Sequence, residues 1–142
     1  MIIVLCGSMA FAKEMQKIQH ELEEKGHTIL GPASIEAFVS GTLTQDNEGR
    51  DVKIKNDLIR DHRRKIQAAD AILVVNGEKN GIKGYVGGNG LMEIGFAYVL
   101  DKKIYLRNDI PEMSYSVEIE TTQPIILHQD LENVEETKRL SA

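Results

Sequence analysis

Ala71-Ile72-Leu73-Val74-Val75 is an unbroken apolar run rich in β-branched side chains. It leads through a glycine-bearing loop, Gly84-Tyr85-Val86-Gly87-Gly88-Asn89-Gly90, into Leu91-Met92-Glu93-Ile94-Gly95-Phe96-Ala97-Tyr98-Val99-Leu100, and then to a second apolar run, Lys103-Ile104-Tyr105-Leu106. Strands that are continuously apolar, rather than alternating, are buried on both faces, as in parallel sheets. The segment from Leu91 to Leu100 reads as a helix between two such strands. Strand, helix, strand in this order is a right-handed crossover unit of an α/β domain.

Working outward, Ile2-Ile3-Val4-Leu5-Cys6 is another continuous strand. Gly7-Ser8 turns the chain into a helix expected over about 10–25, striped by Phe11, Met15, Ile18 and Leu22 and stopped at Gly26. Thr28-Ile29-Leu30, closed by Gly31-Pro32, is a short strand. Residues 33–51 read as polar and irregular, with one helical turn around Ser34–Val39. A second long helix is expected over about 52–68, with Ile54, Leu58, Ile66 and Ala69 on one face and His62 on the same stripe. Ile125-Ile126-Leu127, entered through Pro124, makes a fifth strand, and an acidic helix over about 130–140 follows. Five strands of this kind fit a flavodoxin-like, Rossmann-like three-layer sandwich with a parallel sheet in the order 2-1-3-4-5. Ligands of such sheets sit beyond the strand C-termini, at the switch point between the first and third strands. The loops at that point, Cys6-Gly7-Ser8 and Asn76 to Gly90, both carry glycine.

The chain has 142 residues, 42% apolar and 27% charged, with a net charge of −5. That is one globular domain over 1–142 with a single core. With no long basic run, a nucleic-acid polymer is not the expected partner. The apolar run at Ile2–Cys6 is too short for a signal or membrane segment, and one cysteine fits a cytoplasmic protein without disulfides, so no membrane association is expected. No metal-ligand cluster or redox-cofactor fingerprint is visible, and no cofactor is expected.

The glycine-rich segment is read as a ligand cradle. Its glycines permit close backbone approach and positive φ, and the helix start offers N–H groups and a positive dipole end. The helix is apolar almost all round, which predicts burial within the domain. Its one charge, Glu93, must then be paired, solvated by a cleft, or used. Burial raises the pKa of such a carboxyl, while the helix dipole favours its ionised form.

These residues resemble the nucleoside 2-deoxyribosyltransferase superfamily, which includes the 2′-deoxynucleoside 5′-phosphate N-hydrolases. The likeness lies in Cys6-Gly7-Ser8, in Ala69-Asp70 before the third strand, in Met92-Glu93-Ile94-Gly95-Phe96-Ala97, and in Lys102-Lys103-Ile104. It implies that Glu93 attacks the anomeric carbon of a deoxyribose and expels the base, and that Ser8 helps bind phosphate. Cleavage of an N-glycosidic bond passes through an oxocarbenium-like state that a carboxylate stabilises or traps. Two positions depart from the family. His62 stands where the N-hydrolases carry an aspartate, by an ungapped count back from Asp70, and as a histidine it can act as general acid to a leaving base. Gly87 replaces a phosphate-binding serine, whose part a backbone amide nest can take. The resemblance also implies a homo-oligomer, a dimer or larger.

The candidate set is therefore Glu93 and His62 for catalysis, with Gly7, Ser8, Asn76, Gly87, Gly88 and Asn89 for a nucleoside or nucleotide. Each has an ordinary structural alternative. Glu93 in a first helical turn is stabilised by the dipole alone, and His62 on an apolar stripe is a packed histidine. Ser8 caps the first helix, worth about 1 kcal/mol. Cys6 reads as a small buried hydrophobe. A phosphoribohydrolase pattern, Gly-Gly-x-Gly-Thr-x-x-Glu, fits less well: Gly87-Gly88-Asn89-Gly90-Leu91-Met92-Glu93 lacks the threonine and is one residue short, about 100° of helical rotation. A non-catalytic nucleotide-binding or sensing module on the same scaffold is the alternative from another class.

Overall fold

The computed structural model describes residues 1–31 and 57–134. Five parallel strands, β1 (Ile2–Cys6), β2 (Thr28–Leu30), β3 (Ala71–Val74), β4 (Lys103–Leu106) and β5 (Ile125–Ile126), form one sheet in the order β2-β1-β3-β4-β5. The central register pairs Cys6 with Val74 and Val74 with Leu106, so the C-terminal ends of β1, β3 and β4 lie level. The expected sheet order is the observed one.

Successive residues of the central strands feed two separate cores. Ile3, Leu5, Leu73, Val75 and Tyr105 pack on one side with Met15, Ile18 and Leu22 of helix α1 (Ala12–Glu24). Val4, Cys6, Ile72, Val74, Ile104 and Leu106 pack on the other with Ile66 of α2 (Leu58–Ala68) and Ile94 and Ala97 of α3 (Gly88–Val99). Both faces of the sheet are covered, which is why its strands are apolar without alternation. α1 closes in a Schellman motif, the Gly26 N–H on the Glu23 carbonyl at 3.0 Å and the His27 N–H on the Leu22 carbonyl at 3.1 Å. Asp70 serves structure at the far end of β3: its carboxylate accepts from the Ile2 N–H at 2.8 Å and ties β1 to β3.

Several expectations are corrected. The first helix opens as a 3-10 turn, Met9–Phe11, before α1 begins at Ala12. The helix expected over 52–68 starts at Leu58, because Asp57, with φ 50°, is left-handed and cannot continue a right-handed helix inward. Residues 52–56 lie outside the described residues, as do 33–51 with the turn around Ser34–Val39. A short helix α4 (Ser116–Thr121), not anticipated, connects β4 to β5 and buries Ile119. Of the acidic helix over 130–140, the described part is a single 3-10 turn, Leu131–Asn133; 135–140 lie outside the described residues.

The largest correction concerns α3. It is not buried all round: Gly90, Glu93, Ile94 and Ala97 face inward, while Met92, Tyr98 and Val99 are exposed. The helix packs against one face of a sheet, so only one side of its apolar surface is covered. It also starts at Gly88, taking Gly88-Asn89-Gly90 into the helix rather than leaving them in a loop.

Candidate active site

The strand ends frame a hollow of about 420 Å³, within the ~300–1,000 Å³ range typical of small-molecule sites. Its floor is Val74 at the end of β3 and the Gly7-Ser8 turn after β1; α2 contributes Leu58, Ile59 and His62, and α3 with its preceding loop contributes the rest. This is the crevice between β1 and β3 where the topology reverses.

Glu93 lies on the wall of the hollow, 8% exposed. Its Oε2 is 3.2 Å from Nδ1 of His62, on the neighbouring helix. α2 and α3 thus bring together two residues that are 31 apart in sequence. The helix dipole is not what stabilises this carboxylate. Glu93 is the sixth residue of a helix starting at Gly88, and the dipole's influence is confined to about the first turn. The imidazole is its partner instead.

Cys6 is fully buried beside this pair. Burial, and next to it the Glu93 carboxylate to which the thiol hydrogen-bonds, hold the Cys6 thiol well above the ordinary thiol range. It stays protonated and is not a nucleophile. The thiol's sulfur lies 4.0 Å from the Val4 carbonyl oxygen, to which it donates within β1.

Gly7 is required by geometry. Its φ of 150° and the close passage of β3 leave no room for a side chain, since a Cβ there would stand 2.9 Å from the Val75 carbonyl oxygen. Ser8 caps the following 3-10 turn, its Oγ accepting from the Ala10 N–H at 3.3 Å. The same Oγ accepts from Lys79 Nζ at 2.9 Å. The glycines at the head of α3 are not demanded by backbone conformation, and only Gly90 is closely packed, a Cβ there standing 3.2 Å from Val86. Gly87 has φ −78°, Gly88 and Gly90 are not at positive φ either, and a Cβ on Gly88 would meet nothing within 4 Å. Gly87, Gly88 and Asn89 all line the hollow. Gly87 is the N-cap, and the helix's first internal bond runs from the Leu91 N–H to its carbonyl, leaving the N–H groups of the first turn directed outward.

Asn76 does not line the hollow, a correction to the expected set. It is fully buried, and its amide nitrogen donates to the carbonyls of Asn108 (3.0 Å), Asp109 (3.1 Å) and Gly84 (3.4 Å), while its oxygen accepts from the Asn108 N–H at 2.9 Å. Its amide nitrogen and oxygen are both engaged, and the bonds to Asn108 and Asp109 tie the β3 and β4 loops together.

Two polar side chains of the hollow escaped the reading from sequence, Lys79 and Tyr85. The Lys79 ammonium stands 5.5 Å from the centre of the Tyr85 ring, within cation–π range. The signal that locates them is Asn80-Gly81, the dipeptide of a type I′ hairpin turn. Asn80 (φ 54°) and Gly81 (φ 74°) are both left-handed, and Lys79 and Ile82 exchange both backbone bonds across the turn. Tyr115, whose hydroxyl donates to the Val86 carbonyl, fastens the loop from the other side; burial, then neighbouring Tyr85, raises its pKa.

Among the described residues no group of three or more His, Cys, Asp or Glu is placed to hold a metal ion, and no helix is long and apolar enough to cross a membrane. No protein-family model and no curated protein matches the chain. Among solved structures, the Clostridium botulinum CMP N-glycosidase BcmB aligns over 89% of this chain and 85% of its own, with a TM-score of 0.52 and 18% identity. A 2-deoxyribosyltransferase from Bacillus psychrosaccharolyticus aligns over 75% and 71%, with a TM-score of 0.44 and 22% identity. At 18% identity the first likeness is one of architecture, and on it the chain has the fold of a CMP N-glycosidase.

Proposed function

We propose that this protein cleaves or exchanges the N-glycosidic bond of a nucleoside or nucleoside 5′-monophosphate, with Glu93 as nucleophile and His62 as its proton-transfer partner. The observation that carries the proposal is the Glu93–His62 pair, hydrogen-bonded at 3.2 Å on the wall of a nucleoside-sized hollow at the sheet's switch point. The fold shared with an enzyme that acts on CMP at this bond supports it.

In the first step a Glu93 oxygen forms a bond to the anomeric carbon as the carbon–nitrogen bond breaks. The leaving base takes a proton from the imidazolium of His62, which becomes neutral. In the second step water, or a second base in exchange, attacks the same carbon, gives its proton to His62 and frees Glu93. The buried Cys6 thiol, held neutral, does not compete as a nucleophile. Apolar side chains of Met9, Ile59 and Phe96 line the same hollow and offer a dry wall to the flat face of a base. The exposed Tyr98 and Val99 on α3 support a homo-oligomer built on that helix; sedimentation equilibrium reports its size.

Incubation with a panel of nucleosides and their 5′-monophosphates, with and without free base, tests the proposal. Base release or exchange that Glu93→Ala abolishes is the expected result. Ligand-induced thermal stabilisation without turnover, equal in wild type and Glu93→Ala, identifies a binding module instead.

A further inference from the structure

The side chains that α3 turns to the hollow are spaced as one helical face. Asn89, Met92, Glu93 and Phe96 stand at i, i+3, i+4 and i+7, and all four line the hollow. Along the helix axis they run from an amide near its head, through the carboxylate, to an aromatic ring. We infer that Asn89 is a specificity-determining residue: its side-chain amide bonds a ring hydroxyl of the sugar, at C2′ or C3′, while Glu93 faces the anomeric carbon. The protein thereby distinguishes sugars by the hydroxyls they carry. This rests on the glycosidic reading of the site.

Three observations converge on it. The first is reach. Residues four apart on a helix share a face, with Cβ atoms about 5–6 Å apart. With the anomeric carbon at Glu93, an amide one turn away meets the pentose, whose hydroxyls are carried on the next two carbons of the ring. In the opposite direction along the axis stands Phe96, whose ring suits a base. The second is that local structure does not account for this asparagine. Asparagine at a helix start is ordinarily an N-cap, but here the N-cap is Gly87 and no side chain caps the helix. Asn89 lies two residues further on, is exposed, and makes no side-chain hydrogen bond among the described residues. Within a helix it is a poorer choice than alanine. The third is chemical fit. A primary amide offers both donors and an acceptor, and a sugar hydroxyl is both donor and acceptor, so the two match in either direction. By contrast, His62 is engaged with Glu93, and Ser8 with Ala10 and Lys79.

The experiment uses adenosine and cytidine with their 2′-deoxy and 3′-deoxy forms, each free and as the 5′-monophosphate. Values of kcat/KM are compared in wild type and Asn89→Ala, a variant that folds at least as well because alanine is the better helix former. Calorimetric binding of the same compounds is measured in Glu93→Gln and Glu93→Gln/Asn89→Ala. One hydrogen bond to a hydroxyl corresponds to about 3–10-fold. Wild type is expected to disfavour the sugar lacking the hydroxyl that Asn89 bonds by that factor, and Asn89→Ala to abolish the difference. Whether the 2′-deoxy or the 3′-deoxy ratio collapses identifies the hydroxyl. If wild type releases base but Asn89→Ala leaves both ratios unchanged, the inference is overturned and the glycosidic function stands. Equal rates and equal binding for all three sugars in wild type also overturn the inference. If no compound is turned over, yet a hydroxyl preference in binding disappears with Asn89, the sugar contact stands and the glycosidic function falls. Absence of both turnover and binding overturns both.

Discussion

Replacing His62 by glutamine separates a catalytic histidine from a packed one. The imidazole is 3.2 Å from Glu93, and the two side chains are 19% and 11% exposed. Glutamine keeps a donor within reach of the carboxylate, so the fold loses only part of one charge-assisted bond, about 1 kcal/mol after allowance for solvent screening. In a chain of this size that lowers Tm by roughly 3–5 °C. Proton transfer, by contrast, is lost entirely, and a positioned general acid or base contributes about 10²–10⁴-fold. At about 1.4 kcal/mol per decade this is roughly 3–5 kcal/mol of barrier, well above the folding effect. The assay is base release per folded molecule, with thermal denaturation run on the same preparation. A second substrate, whose leaving group departs as a stabilised anion needing no proton, is expected to recover most of the lost rate. A His62→Gln protein that unfolds several degrees lower but retains the wild-type rate, within about threefold, refutes the proton-transfer role and leaves His62 as packing.

Other perturbations probe the surroundings of the pair. Because the Cys6 thiol is held neutral in the fold while a free thiol ionises near ~8.5, its contribution to stability is fully present below that pH and is lost as pH rises above it. Unfolding free energies of wild type and Cys6→Ala from urea titration should therefore draw closer by about 1.4 kcal/mol between pH 7 and ~9.5, and a thiol reagent should react with Cys6 only after unfolding. Asn76→Ala strands buried groups at Gly84, Asn108 and Asp109; it should cost about 1–3 kcal/mol in denaturant titration, with KM and kcat changing only through the loss of folded protein. Gly88→Ala should leave folding intact or slightly improved, by about 0.5 kcal/mol, because a Cβ there meets no neighbour. Gly88 lines the hollow, so nucleotide KM should rise; an unaltered KM would place the ligand elsewhere.

Much of the architecture was legible because a parallel sheet covered on both faces leaves a simple trace, strands without polar interruption. Ile2–Cys6, Ala71–Val74 and Lys103–Leu106 announce themselves, and their alternation with helices leaves few orders open. The convergence of the Gly7-Ser8 turn with the head of α3 follows from that order. What stayed hidden depended on packing. Gly88-Asn89-Gly90 are poor helix formers, yet they sit in α3 because its inward face closes on the sheet with Gly90 against Val86. Apolar residues all round a helix did not reveal which side the sheet would leave exposed. Asn76 reads like a loop ligand until the β4 loop is folded onto it. Lys79 is one of several charges in a loop, and only the Asn80-Gly81 turn singles it out.

The most direct test of the central claim is covalent trapping. A 2-fluoro-2-deoxy nucleotide slows release of the sugar by destabilising the oxocarbenium-like state through which it must pass, so the glycosyl-enzyme should accumulate. Peptide mass spectrometry of the digested protein should then show one sugar phosphate added to the peptide containing Glu93, and none in Glu93→Gln. A modified peptide lacking Glu93, or base release that continues unimpaired in Glu93→Gln, would contradict the assignment of this carboxylate as the nucleophile.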